Sequence, residues 1–297
     1  MYRRKRNIEQ KMNFFLGMIL ILLVIPVFIS TFLGRLEIED LLFSQPQKEI
    51  SEVERKLPLI VAKQISIHMP PEAIKAQSVI ARTQFFTAVE KGEDEPIGFS
   101  ISDLQTLWGE QFDEYYEKLN RLIEETAGEV LRYNGAYIYA AYHQASAGET
   151  RTMSEYYEKS MMPYLSSAVC HEDTTAPEYL NVFFWTKEEF LSLCKQVFTD
   201  EVSSGEDFKV IKRDSSGYVL EIQVGQTIYE GEQFRKKLNL PSACFEITVI
   251  DEGVRIVTMG QGHGFGLSQH MAGVLAKEGK NYREILQYFY KEVSIIE

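Results

Sequence analysis

Met69-Pro70-Pro71-Glu72-Ala73-Ile74-Lys75-Ala76-Gln77-Ser78-Val79-Ile80-Ala81-Arg82-Thr83 is the stretch on which the reading of this 297-residue chain turns. Two prolines close an extended segment and open a helix, because the first helical turn does not need the N–H that proline lacks. The helix should run to about Glu90 and stop at Gly92. At 100° per residue, Ala73, Ile74, Gln77, Ile80, Ala81, Gln84, Phe85 and Ala88 share one arc, so this face reads as buried. Glu72, Lys75, Val79, Arg82 and Phe86 share the other. Gln77 and Gln84 on an apolar face need hydrogen-bond partners. Glu72 falls in the first turn, where an acidic side chain suits the helix dipole and lies one turn from Lys75. A dipole contact is the plain reading of Glu72, and a reagent is the sharper one.

Working outward, Phe14 to Leu33 is twenty uncharged residues, about the length that crosses a hydrocarbon core. Arg3, Arg4, Lys5, Arg6 and Lys11 precede it against the single acid Glu9, which places that end in the cytoplasm. A cleaved signal peptide would have a shorter apolar run and a small-residue cleavage site, so an uncleaved anchor is expected. The expected organisation is a cytoplasmic basic tail over residues 1–11, a transmembrane anchor over 12–34, a stalk over 35–49 and one extracytoplasmic domain over 50–297. The net charge is −12, and the basic tail leaves −16 on residues 12–297. An acidic domain argues against nucleic acid and anionic lipid surfaces as ligands. The three cysteines, Cys170, Cys194 and Cys244, do not form a disulfide framework.

Further turn and periodicity signals give the fold class. Glu52 to Ser66 reads as an extended or helical approach, and a helix is expected near Glu110 to Thr126. Strands over Glu129–Arg132 and Ala136–Tyr142 flank Asn134-Gly135, a hairpin signal. Two more hairpins are expected, Phe208–Arg213 with Tyr218–Val224 and Phe245–Ile250 with Val254–Thr258, and a short helix near Gly231 to Leu238 lies between them. Helices over Ser268–Lys277 and Tyr282–Tyr290 follow a glycine loop. Hairpins beside clustered helices indicate an α+β domain.

Two further segments can carry chemistry. Tyr142-His143-Gln144-Ala145-Ser146-Ala147-Gly148 follows a predicted strand, but Ser146 has no G-x-S-x-G elbow to make it a nucleophile. Gly260-Gln261-Gly262-His263-Gly264-Phe265-Gly266-Leu267-Ser268-Gln269-His270 alternates glycines with side chains. That pattern means positive φ or close approach by another strand, and it is neither a dinucleotide nor a phosphate loop. Cys170, His171, His143, His263 and His270 are candidate zinc ligands, but no usual zinc spacing is present.

Together these segments resemble the stage II sporulation protein D (SpoIID) family, which includes amidase enhancers. The family's P-x-E-A-L-K-A-Q-A-V-A-A-R-T resembles residues 70–83, its H-S-x-S-G-G resembles residues 143–148, and its G-x-G-H-G-x-G-M-S-Q resembles Gly260 to Gln269 with Leu267 for methionine. A weaker F-R-x-x-L-x-L resembles Phe234 to Leu240. The resemblance implies a membrane-anchored lytic transglycosylase of sporulation engulfment and cell wall degradation. It would cut peptidoglycan glycan strands, stripped of stem peptides, between MurNAc and GlcNAc. The implied partners are the amidase SpoIIP and the membrane protein SpoIIM, and no resident cofactor is implied. Some members bind zinc through a histidine like His143 and two nearby cysteines, but here no cysteine precedes Cys170. The implied acid/base is Glu72, which would have to start protonated and so needs a raised pKa. Substrate contacts are expected from Lys75, Gln77, Arg82, Tyr142, His143, Ser146, Gly262, His263, Gly264, Ser268 and Gln269. A non-catalytic glycan-binding amidase enhancer is the alternative.

Overall fold

A computed structural model describes residues 52–157, 162–198 and 207–297. The expected tail, anchor and stalk lie outside these residues. Among the described residues no helix is long and apolar enough to cross a membrane.

Residues 52–297 form one compact unit, and its described residues hold two large hydrophobic clusters and a small third one at Tyr218, Ala243 and Cys244. The first is helical and is built around α2 (Pro71–Lys91). Pro70 caps its start, and Gly92 ends it at φ 67 with its N–H on Val89 O. Around α2 pack α1 (Glu52–Gln64), α4 (Phe112–Glu124), α8 (Gln269–Lys277) and α9 (Tyr282–Phe289). On the arc set against the buried one in the sequence, Val79 and Arg82 are fully buried as well, while Glu72, Lys75 and Phe86 are half-buried. A helix packed by neighbours over most of its middle has little solvent face there to keep polar. A short helix that periodicity did not predict, α3 (Ile101–Trp108), starts at a Ser100–Asp103 capping box.

The second cluster is β-rich. The strands are β1 (Val130–Tyr133), β2 (Ala136–Tyr137), β3 (Tyr142–His143), β4 (Leu180–Trp185), β5 (Phe208–Arg213), β6 (Val219–Val224), β7 (Thr227–Glu230), β8 (Phe245–Ile250), β9 (Gly253–Met259), β10 (Leu267–Ser268) and β11 (Ser294–Ile296). They form sheets in the orders β11-β1-β2, β10-β3, β4-β9-β8 and β5-β6-β7. Between strands lie α5 (Met153–Tyr156), α6 (Lys187–Val197) and α7 (Gly231–Lys237). Phe190, Phe208, Phe234 and Phe245 fill this cluster.

All three predicted hairpins are present, so the α+β class stands. Two details differ. The strand after Asn134-Gly135 stops at Tyr137, and Tyr142 and His143 join a different, parallel pair with Leu267 and Ser268. The outer strands β4 and β11 were not foreseen, because their partners are remote in sequence. Cys170, Cys194 and Cys244 are free and buried.

Candidate functional site

The two glycine-histidine segments lie against each other. Gln144 and Ala145 both donate their N–H to Gln261 O at 3.2 Å, and Gln261 N donates to Ala145 O at 2.7 Å. The glycines allow this approach. Gly262 has φ 106, and a Cβ there would stand 2.6 Å from His143 Cβ. The segment then enters β10, whose Leu267 N donates to Ala141 O at 3.0 Å. Ser268 caps α8 by accepting from Met271 N.

Behind this joint sits Asp173, fully buried, which the sequence did not single out. It accepts from Ser146 N and Ser146 Oγ, each at 2.7 Å, and from Ser268 Oγ at 2.8 Å. Burial raises its pKa, while the Ser146 bonds work the other way. Ser146 is therefore a clamp and not a nucleophile. His143 Nδ1 lies 3.1 Å from Phe265 O, so the proton sits on Nδ1 when the ring is neutral. His263 Nδ1 accepts from Phe265 N at 3.0 Å, which leaves its proton on Nε2. Burial, with His263 nearby, lowers the His143 pKa to about 3, and burial with Arg235 nearby lowers that of His263 to about 4.

These two histidines make stability pH-dependent. Unfolded histidine titrates near 6.5, and both folded rings stay neutral down to about 4, so the unfolded state binds more protons in that window. Their contribution is complete above pH 6.5 and is lost as pH falls. The expected slope is about 1.4 kcal/mol per pH unit for each histidine. Urea unfolding at pH 7 and pH 5 checks this, and an equal or higher midpoint at pH 5 would refute it.

The main cleft, about 700 Å³, opens beside the glycine-histidine joint. One side is Lys63–Met69, the bend between α1 and α2, with Phe99, Leu107 and Trp108. The others are Gln144 and Ala145, Ala176–Glu178, Gln261, Gln269 and His270. His68 meets the Tyr115 ring edge-on at 5.3 Å, and Trp108 meets the same ring at 5.9 Å. Amides are joined into the wall. Gln77 Nε2 donates to Gln64 Oε1 at 2.7 Å, and Gln269 Nε2 donates to Gln64 O at 2.8 Å and to Gln77 Oε1 at 3.1 Å. Gln64 Nε2 donates to Gln84 Oε1 at 3.1 Å, whose own Nε2 donates to Ala140 O at 2.8 Å. The glutamines on the apolar face of α2 are thus satisfied.

Most of the expected site residues lie elsewhere. Glu72 is not among the cleft residues. Its side chain is 27% exposed, with Oε1 paired to Lys75 and Oε2 accepting from Tyr282 N at 2.8 Å. Burial opposes the Lys75 charge, but bonds to Glu72 and Glu125 outweigh it and raise the Lys75 pKa. Arg82 is fully buried and forked onto Glu54 at 2.6 and 3.0 Å, with Glu129 O at 3.0 Å, so it holds the helices together. Tyr142 packs on the helical core, and burial pushes its phenol up to about 12. Gly262 and Gly264 are packing positions against His143 and Tyr218. His263 lines a second pocket of about 590 Å³ with Tyr156, Arg235 and Phe265. Of the expected contacts, Gln269 alone lines the main cleft; Gln77 stands behind it, and His143, Ser146 and Ser268 support its wall.

Among the described residues no three His, Cys, Asp or Glu side chains gather as a metal requires. His143 Nε2 is buried without a hydrogen-bond partner, and burial pushes the Cys170 thiol up, away from the thiolate a metal binds.

Glu178 is the only carboxylate among the described cleft residues. It is exposed, and its backbone is left-handed at φ 57, a conformation that costs a non-glycine residue about 1 kcal/mol. Gln261 Nε2 donates to Glu178 Oε2 at 3.0 Å and to Glu178 O at 3.2 Å.

The SpoIID family model, described as "Stage II sporulation protein", matches residues 47–133. The Stage II sporulation protein D of Bacillus subtilis (strain 168) is 31% identical over 254 residues, covering 80% of this chain and 72% of that protein. The Bacillus amyloliquefaciens protein of the same name is 29% identical over 252 residues, 80% of this chain and 72% of that one. A Bacillus subtilis protein named "Amidase enhancer" is 23% identical over 273 residues, 74% of this chain and 37% of that one.

Proposed function

Because this chain belongs to the stage II sporulation protein D family, we propose that its cleft holds a peptidoglycan glycan strand and that it serves wall remodelling in sporulation. The observation that carries this is the cleft lining. Trp108 and Phe99 offer aromatic surface to the C–H face of a sugar. Gln144 and the amide oxygen of Gln269 offer neutral polar groups suited to hydroxyl and acetamido groups. The proposal takes the domain to lie outside the cytoplasm behind the apolar run at residues 14–33, with a peptide-removing amidase such as SpoIIP as partner and SpoIIM in the membrane.

In this reading the protein binds the strand and enhances a partner amidase. Lytic cleavage is the second reading, favoured by the match of residues 70–83 to the family's glutamate helix. It needs Glu72 to leave Lys75 and the Tyr282 N–H, take up a proton and reach a sugar from outside the cleft lining. It then has Glu72 protonate the leaving oxygen and deprotonate the 6-hydroxyl that closes the 1,6-anhydro ring.

One experiment separates the two. Full-length protein is incubated with denuded glycan strands, and bound strands and product ends are analysed by sedimentation and mass spectrometry. The binding reading expects sedimentation with intact strands, equal for wild type and Glu72→Gln. That variant keeps an acceptor for the Tyr282 N–H and loses one partly exposed ion pair, a stability cost below about 1 kcal/mol. Anhydro ends from wild type that vanish in Glu72→Gln would establish cleavage instead. No sedimentation with either protein would remove the glycan reading altogether.

A further inference from the structure

We propose that Glu178 is the cleft's sugar-binding carboxylate and that Gln261, the first side chain of the glycine segment, is its positioning residue. This rests on the reading of the cleft as a glycan site and names the group that accepts from the sugar's hydroxyl and acetamido N–H donors.

Three observations converge on Glu178. It is the sole carboxylate among the described residues of the cleft. It is exposed there, so its carboxylate is open to solvent and to a ligand. Its carboxylate is also fixed. Gln261 Nε2 holds Oε2 at 3.0 Å, while the backbone carbonyl of Glu178 accepts from the same amide at 3.2 Å and from Asn181 Nδ2 at 2.7 Å. One carboxylate oxygen is thereby oriented, and the carboxylate keeps lone pairs for two more hydrogen bonds. A carboxylate accepting from a sugar hydroxyl or an acetamido N–H makes charge-assisted bonds, stronger than those of the amides around it.

The backbone at φ 57 bears on the same point. A glycine would take that conformation without strain, whereas a glutamate takes it at a cost. Glu292, also left-handed and exposed, shows that the conformation alone does not mark a site. What distinguishes Glu178 is the cleft and the Gln261 contact. Gln261 in turn is held by its backbone bridge to Ala145, so the glycine-histidine joint fixes the carboxylate.

The test uses the full chain and chitohexaose, a neutral acetamido-sugar oligomer, with affinity measured by titration calorimetry. Wild type binds, and Glu178→Gln, which keeps the side chain's size and the backbone conformation, binds at least 10-fold more weakly. Glu178→Gly loses as much affinity while its Tm stays equal or rises by a few degrees, so that the lost binding is not lost folding. Gln261→Ala also binds more weakly, and adding it to Glu178→Gln weakens binding no further, because the two act as one unit. Glu178→Gln within twofold of wild type would overturn the assignment of Glu178 and leave the glycan cleft standing. Wild type failing to bind would overturn the cleft reading and this inference with it.

Discussion

Arg151→Met is expected to lower the stability of this protein by about 3–5 kcal/mol, the usual result of removing one partner from a buried ion pair. Arg151 is fully buried, with Nε 2.6 Å from Asp214 Oδ2 and Nη1 3.3 Å from Glu232 Oε1 and 3.2 Å from His263 O. Its guanidinium lies 4.5 Å from the Phe265 ring centre and 4.7 Å from that of Tyr218. Methionine fills much of that space but leaves Asp214, whose side chain is 1% exposed, charged and without its partner. Urea unfolding of the variant measures the loss, and a change below about 1 kcal/mol would show that the network contributes little. Adding Asp214→Asn should recover part of the loss, since the uncompensated charge causes most of it.

Gly266→Ala is the second large effect expected. Gly266 has φ 68, and a Cβ there would stand 2.0 Å from the Ala141 carbonyl oxygen, so the backbone itself must move. The left-handed conformation alone costs alanine about 1–2 kcal/mol, and the forced shift adds at least as much. A total near 3 kcal/mol would lower Tm by roughly 10 °C in a domain of this size. The movement would part Leu267 N from Ala141 O and open the β3–β10 pair that carries His143 and leads into Gln269. Glycan binding should fall along with Tm, since the cleft wall depends on that pair. A Tm within about 2 °C of wild type would show that the joint yields without loss.

The sequence was legible where the signal was local. The Pro-Pro opening and the Gly92 stop set α2 to within a residue, and Asn134-Gly135 and Asp214 to Gly217 marked real hairpins. The alternating glycines announced a close approach, and Gly262 and Gly266 make one. The cleft was not legible in the same way. Its walls come from the α1–α2 bend, the α3 end, the 176–178 turn and the glycine segment, which share no motif. Glu178 carries no spacing signal, and Asp173 shows none of its role until Ser146 and Ser268 are seen to meet on it.

Glu72 shows where sequence and tertiary structure part. The sequence alone determined that a glutamate opens a helix beside a lysine, because helix starts and i,i+3 neighbours depend only on the local chain. It also determined the α+β class and the family, because periodicity, turns and motifs are all written along the chain. Which way that glutamate faces is a long-range fact. The N–H of Tyr282, 210 residues away, takes one oxygen, while the cleft is closed by side chains from six other segments. Only the packing of α2 against its neighbours put most of its motif into the core behind the cleft, and only the long-range fold brought Glu178 to the cleft's lining.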